Sequence, residues 1–476
     1  MGQTIETVVG KTDGVTRRAF SMRGAALLAG TSGWVAAACG ASGGVETGAA
    51  GSAPKSVSGA VTWFMRAGGG GAELAWEQAA VAAFKQQQAA VSVNLETVPD
   101  SNAFDPKLTA LQAGGTPPDV WTHWGQSGFG DYYARGMIGE LQTLVARDKL
   151  EMGQFFANVH DAWKRDGKLY GLSFNQRFGT FLYFNKQLFQ QAGVKLPSVD
   201  WEDRTWTWDS MVESARKLTN ASGQVWGFGA GAQPRTWGMA YLFGGDFFTK
   251  DHYAKGVAKQ SNIGTPEVQA AMQAEADLIN RFKVWPSDAE RANLGAPAPG
   301  LTKMFTSGQL AMLYDTGSEW PAIDKDSTFE WGVAAAPRQK DNKNINFINP
   351  LVISKESKNK EAAWAFLKFN VTEPGQRVLV QNAFQPVVKS LLEDWLKGGK
   401  TKQPLADIRK AVEGAGSHTQ IGPNQIMVEF GPIRTAVDTA LGPVWKGEKS
   451  AADGLRDAKT QTDSLVAETF ARYGGK

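Results

Sequence analysis

One cysteine among 476 residues, Cys39, leaves no intramolecular disulfide and no cysteine-based metal site to build on. Histidine is nearly as scarce. His123, His160, His252 and His418 show no His-x-x-x-His or His-Glu-x-x-His spacing, so no metal centre is expected from them. Charge of one sign is also missing. A formal +3 over this length, with no basic block and no acidic tail, offers nothing to nucleic acid and no selection of partners by bulk charge. The four glycines Gly68 to Gly71 are not followed by Gly-Lys-Ser/Thr, which removes a phosphate loop. They either let backbone approach a ligand or form a turn. Gly227-Phe228-Gly229-Ala230-Gly231-Ala232 fits the loose dinucleotide pattern, but Pro234 follows and no amphipathic helix starts there. No serine elbow or histidine-centred triad occurs. No cofactor is expected.

What is present starts with the setting of Cys39. It lies just behind an apolar stretch, Ala25 to Ala38, which itself follows Arg17-Arg18. The run Thr16-Arg17-Arg18-Ala19-Phe20-Ser21-Met22 resembles a twin-arginine export signal, and the apolar segment is short for a membrane span. Ala36-Ala37-Ala38-Cys39-Gly40 resembles a bacterial lipobox with Ala36 where leucine usually stands. Residues 1–38 are therefore expected to be a cleaved signal, with Cys39 acylated. From Gly40 to Ser58 the chain is mostly Gly, Ser, Ala and Thr, too poor in bulky apolar groups to order itself, so residues 39–58 read as a lipid-anchored flexible tether. The remainder is long enough for two lobes with a large core. Tryptophan is abundant at 17, and while most indoles belong in the core, a minority could form flat walls for a sugar ring.

Along the folded part, Ala60 to Met65 is β-rich, and Ala72 to Gln87 carries Leu74, Ala75, Trp76, Ala79, Ala82 and Ala83 at helical spacing. Val91 to Val98 alternates as a strand, Pro106 to Ala113 reads as a helix ended by Gly114-Gly115, and Pro117-Pro118-Asp119-Val120-Trp121 starts another strand. Strands alternating with helices predict an α/β layered sheet, with ligands gathering in crevices beyond the strand carboxyl ends. Thr207 caps a helix from Trp208 whose Met211, Ala215 and Leu218 form an apolar stripe. Asn185-Lys186 ends a strand and opens the helix Gln187 to Gln191, closed by Gly193.

The ordered segments Asp166-Gly167-Lys168-Leu169-Tyr170-Gly171, Leu182-Tyr183-Phe184-Asn185-Lys186, Thr207-Trp208-Asp209 and Lys217-Leu218-Thr219 resemble the sugar-type extracellular solute-binding proteins of ABC importers, the group that contains maltose-binding protein. Phe305-Thr306-Ser307-Gly308-Gln309-Leu310-Ala311-Met312, Ser357-Lys358-Asn359-Lys360-Glu361-Ala362-Ala363-Trp364, Glu373-Pro374-Gly375-Gln376 and the stretch from Trp445 continue the likeness in order. The resemblance implies a periplasmic-binding-protein-like α/β fold, two lobes joined by three hinge crossings near residues 171–175, 345–351 and 391–400, with a ligand cleft between. The amino-terminal lobe would take 59–172 plus 350–392, and the carboxy-terminal lobe 173–349 plus 393–476. It implies a monomeric, non-enzymatic component outside the cytoplasm, in the periplasm or on the outer face of the cell membrane. Such a component captures a small-molecule solute by closure and hands it to ABC permease subunits in the membrane.

The resemblance also nominates site residues. Met65 and Arg66 stand where family members reach the ligand after the first strand, with Glu73 opening the next helix. His123 and Trp124 hold the position of an aromatic and polar pair. Asn175, Gln176 and Arg177 replace the acidic residue often found past the first hinge; arginine prefers anionic or carbonyl oxygens, which brings an acidic sugar or non-sugar solute into view. Trp237, Asp246 and Phe247 belong to the far wall, Thr316, Ser318 and Trp320 flank the turn at Gly317, Asn346, Phe347 and Asn349 lie at the second crossing, and Phe430 precedes a final helix at Ile433 as a stacking aromatic. Packing is the alternative for each of these. A secreted glycoside hydrolase remains a second class, since Asp and Glu are plentiful enough to supply its two carboxylates. A sensor that signals by the same closure is a third.

Overall fold

A computed structural model describes residues 56–67, 72–123, 128–176, 178–220, 225–232, 234–295, 300–399 and 401–474. The expected signal, Cys39, the tether up to residue 55, the glycines Gly68 to Gly71, Trp124 and Arg177 lie outside the described residues. β1 (Gly59–Arg66) alternates faces, as its pleat requires. Trp63 turns to one side, meeting Trp76 of the helix Ala72–Gln87 at 5.5 Å and Phe366 of the helix Lys360–Val371 at 4.9 Å. Phe64 turns to the other, 4.6 Å from Phe104. β2 (Val91–Val98) and β3 (Val120–Trp121) lie parallel on either side of β1. Between them the helix Ser101–Ala113 begins earlier than the expected Pro106, because Asp100 caps it by accepting from the amides of Asn102 and Ala103 at 2.8 and 3.0 Å. Pro106 sits inside it, forfeiting one backbone bond without ending the helix.

A hairpin of β4 (Lys164–Arg165) and β5 (Lys168–Leu169) leads into β6 (Leu172–Gln176). The chain then forms β7 (Thr180–Asn185), β8 (Gly229–Ala230), β9 (Met312–Thr316) and β10 (Trp331–Ala334), followed by β11 (Asn344–Asn346), β12 (Ile348–Ile353) and β13 (Thr419–Ile421). The first sheet has the order β2-β1-β3-β12-β6, the second β10-β7-β9-β8, and β11 pairs with β13. The glycine-rich run at 227–232 is thus partly strand. Gly227 packs directly on the backbone of Ala215, where a side chain has no room, so its glycine serves packing and not a nucleotide. Among the described residues no helix is long and apolar enough to cross a membrane.

The first crossing lies further along than 171–175. All of β6 is bonded to β12, with Gln176 opposite Ile348 and Asn175 opposite Asn349, so residues 173–176, expected with the second lobe, stay with the first sheet. The chain changes sheet at 177–179, the second crossing turns at Phe347, and the third follows Val388. Side-chain amides stitch these points together. Asn344 Oδ1 accepts the Thr180 amide at 2.8 Å and Asn346 Oδ1 the Gly179 amide at 3.0 Å. Gly179 has φ +81° and its missing side chain leaves the space that the Asn344 carboxamide fills, so no other residue fits. Gln425 brackets the second crossing, accepting from Ile348 N and donating to Asn346 O, both at 2.8 Å.

The Glu373-Pro374-Gly375-Gln376 motif has a structural account. Gln376 is fully buried and satisfies three backbone groups, donating to Phe174 O (2.6 Å) and Asn370 O (2.8 Å) and accepting from Val387 N (2.7 Å). Gly375 lies against the carbonyl of Phe369. Gln376→Leu leaves those three groups buried without partners and is expected to cost about 3 kcal/mol or more. The check is a lower denaturant midpoint at unchanged slope.

Candidate functional site

The carboxyl ends of β1, β3 and β6 and the start of β12 form one lip of a crevice. The start of β7 and the ends of β8 and β9 form the other, since Thr180 is opposite Thr316. Positions 68–71, 124–127, 177 and 233, outside the described residues, begin within three residues of the ends of β1, β3, β6 and β8.

On the first lip Arg66 closes β1 and forks onto Glu73, Nε to Oε2 at 3.2 Å and Nη2 to Oε1 at 2.8 Å, while Nη1 reaches Ser101 Oγ at 2.6 Å. The two nominated residues are therefore brought together as an ion pair. Met65 points away into the core and is fully buried. One helical turn beyond Glu73, Glu77 is also fully buried, and neither of its oxygens has a hydrogen-bond partner. Burial, reinforced by the Glu73 carboxylate and opposed by Arg66, pushes its pKa from the ordinary 4.5 to about 8. Sequence reasoning missed Glu77, which reads as one more helix-surface carboxylate. His123 sits at the end of β3 with its ring 5.3 Å from Trp163. Asn175 and Asn349 are joined by a buried bond, Nδ2 of Asn349 to Oδ1 of Asn175 at 2.8 Å. Asn346 is engaged at the crossings as described above, and Phe347 between them is buried against Gly422.

On the second lip Thr316 Oγ1 is 2.6 Å from Ser318 Oγ, and the Thr316 carbonyl accepts from Tyr183 Oη at 3.0 Å. Asp315, which sequence reasoning passed over, is buried beside it. Its carboxylate fills the space that a side chain at Gly231 would take and accepts the Thr316 amide at 2.7 Å. Several nominated aromatics pack on one another here. Trp320 is 2 % exposed, 5.0 Å from both Trp331 and Trp395. Trp237, Phe247 and Phe430 form one cluster, Trp237 lying 4.4 Å from Phe247 and 5.1 Å from Phe430. Phe430 does not precede its helix but is its first residue, in Phe430–Trp445. Asp246 accepts from Tyr253 Oη at 2.7 Å and from the Phe248 amide at 3.1 Å, bracing the same wall.

A cavity of about 710 Å³ lies where the crossings meet, lined by Gln176 and Phe178 of the first, Asn346 and Ile348 flanking the second, and Lys389 of the third. Its remaining wall comes mostly from residues 156–162 and 413–421, and none of Arg66, His123, Thr316 or Trp237 lines it. It marks the hinge, apart from the lips. Among the described residues no group of three or more His, Cys, Asp or Glu is placed to hold a metal ion.

The sequence pattern of the bacterial extracellular solute-binding proteins matches residues 68–377, more than half of the chain. This chain belongs to that family. A protein of Brucella abortus to which a binding role is ascribed is 24 % identical over 319 residues, 64 % of this chain and 71 % of its own. An ABC substrate-binding protein from Listeria monocytogenes, solved with cycloalternan, superposes with a TM-score of 0.71 at 24 % identity, covering 85 % of this chain and 98 % of its own. A maltose-bound Thermotoga maritima protein gives 0.66 at 21 % identity, covering 85 % and 100 %. The two-lobed α/β binding-protein fold follows from these superpositions, and the family places the chain outside the cytoplasm. The solute-binding family and its solved neighbours are substrate-binding proteins.

Because Glu77 holds its proton more tightly folded than unfolded, the stability it contributes is full below about pH 4.5 and is lost as pH rises through about 8. The loss is on the order of 3–5 kcal/mol. Glu77→Gln is expected to remove most of that slope, melting well above the native protein at pH 8.5 and close to it at pH 4.5 in thermal scans.

Proposed function

We propose that the protein is the lipid-anchored receptor of an ABC importer, capturing a carbohydrate between its lobes and passing it to the membrane permease. The observation that carries this is the crevice itself. The strand ends bounding it carry hydrogen-bonding groups, Arg66 paired to Glu73 on the first sheet and Asp315 beside Thr316 and Ser318 on the second, with an aromatic cluster of Trp237 and Phe430 besides. Hydroxyl-rich rings suit such lips, since each hydroxyl both donates and accepts. The carbohydrate chemistry of the neighbours supports the same class: cycloalternan and maltose in the two structures above, and the name of an arabinooligosaccharide-binding protein of Halalkalibacterium halodurans, 27 % identical over 132 residues. An acidic sugar is the second reading, favoured by Arg177, which directly follows β6 in sequence.

On this reading the lobes are 59–176 with 348–388 and 180–346 with 392–474, bounds that the pairing of β6 with β12 supports. Trp124 supplies the stacking ring, and Cys39, acylated after export, holds the working monomer at the membrane.

Thermal-shift screening of a carbohydrate library that includes uronic acids is expected to yield a stabilising saccharide, because a solute that binds only the folded chain raises its melting temperature. X-ray scattering should then show compaction with that saccharide. No shift with any of them, or conversion of one into a product, defeats the reading. Trp124→Ala is expected to weaken capture by roughly 1–3 kcal/mol in calorimetry, and unchanged affinity removes Trp124 from the site. Cys39→Ser should release the mature protein from the membrane fraction of expressing cells into the soluble one.

A further inference from the structure

Residues 231–238 leave the carboxyl end of β8 and run to β11, the strand that feeds the second crossing. Gly238 lies against Ile345 there, where a Cβ on residue 238 would stand 2.9 Å from Ile345 Cγ2. Within this segment Thr236 holds φ 63° and ψ −75°, a conformation that a β-branched residue adopts only when its surroundings impose it. The imposing group is Glu275, on the helix Pro266–Asn280. Its carboxylate is fully buried, accepts the Thr236 amide at 3.1 Å and takes Arg235 Nε at 2.5 Å. The Arg235 guanidinium in turn lies over Trp285 at 5.3 Å and Trp445 at 4.9 Å. Arg235 is thus fixed through its edge by charge and through its faces by two indoles, and Thr236 is pinned beside it.

Upstream, the Asp315 carboxylate occupies the space beside Gly231. The segment is cast between two buried carboxylates. Burying a charged group is costly, and a turn needed only for packing is met at no such cost by glycine at the strained position. The strain is instead kept at the crevice lip, next to the wall that Trp237 forms with Phe247 and Phe430.

We infer that Glu275 is a positioning residue of the solute site, holding Arg235 to Trp237 in a strained form so that the second lip is set before the solute arrives. This rests on the carbohydrate reading for its ligand and on the fold for its geometry.

The test compares Thr236→Gly with Thr236→Ala, which lose the same polar group but differ in whether the strain persists, and adds Glu275→Gln, which keeps the shape and loses the charge. Maltotriose, mannotriose and mannitol are the calorimetric probes. Thr236→Gly is expected to melt higher than Thr236→Ala although glycine is the looser residue, yet to bind whichever probe the native protein binds at least ten-fold more weakly than Thr236→Ala does. Glu275→Gln, folded by circular dichroism, is expected to lose at least ten-fold in affinity for the same probe. Affinity that merely tracks melting temperature across the three variants overturns the inference. A native protein silent to all three probes counts against the carbohydrate reading instead; the melting order then decides, and Thr236→Gly melting below Thr236→Ala overturns the positioning role.

Discussion

Four buried side-chain amides, those of Asn344, Asn346, Gln376 and Gln425, hold the hinge together, and the placement of both sheets follows from them. Wherever the chain leaves one sheet for the other it must break its ladder, and each break strands backbone donors and acceptors in the interior. A carboxamide carries both a donor and an acceptor on one flat group, so a single side chain can satisfy an N–H and a C=O at once. Gln425 does this at the second crossing between Ile348 and Asn346, and Gln376 does it between β6 and the approach to the third. Charged groups would meet the same geometry with a heavier desolvation cost, and apolar ones would leave the stranded groups bare.

This arrangement explains how rigid halves coexist with a movable join. Each sheet has its own aromatic packing, Trp63, Trp76 and Phe366 around the first and Trp320, Trp331 and Tyr183 around the second. The crossings between them are short, secured by these hydrogen bonds together with buried Phe178 and Phe347. Closure of lobes about a few such residues is a common repertoire for binding proteins.

The local elements were legible because their cues are local. Alternation in Val91 to Val98, the Thr207 cap and the Asn185 cap each depend on neighbours within a few residues, and the structure places β2, the helix Trp208–Leu218 and the helix Lys186–Gln191 there. The first crossing was misplaced because its position is decided by β12, whose residues pair with β6 from far along the chain. The same distance hid the amide roles, since nothing near Gln376 in sequence announces Phe174 or Val387. In the candidate site, Arg66 and Glu73 could be nominated together because they are close in sequence. Trp320, Trp237 and Phe430 could not be sorted into wall or core, since an indole or phenyl ring carries the same sequence signal in both. Thr236 and Glu275 were invisible for a further reason: backbone strain leaves no mark in composition or periodicity.

The closed fork of Arg66 on Glu73 has a consequence for how the crevice meets its surroundings. In Arg66 and Glu73 an incoming molecule meets a pair whose fields largely cancel beyond a few ångströms. Attraction from afar is weak, and recognition waits until oxygens and hydrogens are in contact. What this pair contributes at contact is therefore nearly indifferent to ionic strength, an advantage beyond the cytoplasmic membrane, where salt is set by the habitat and not by the cell.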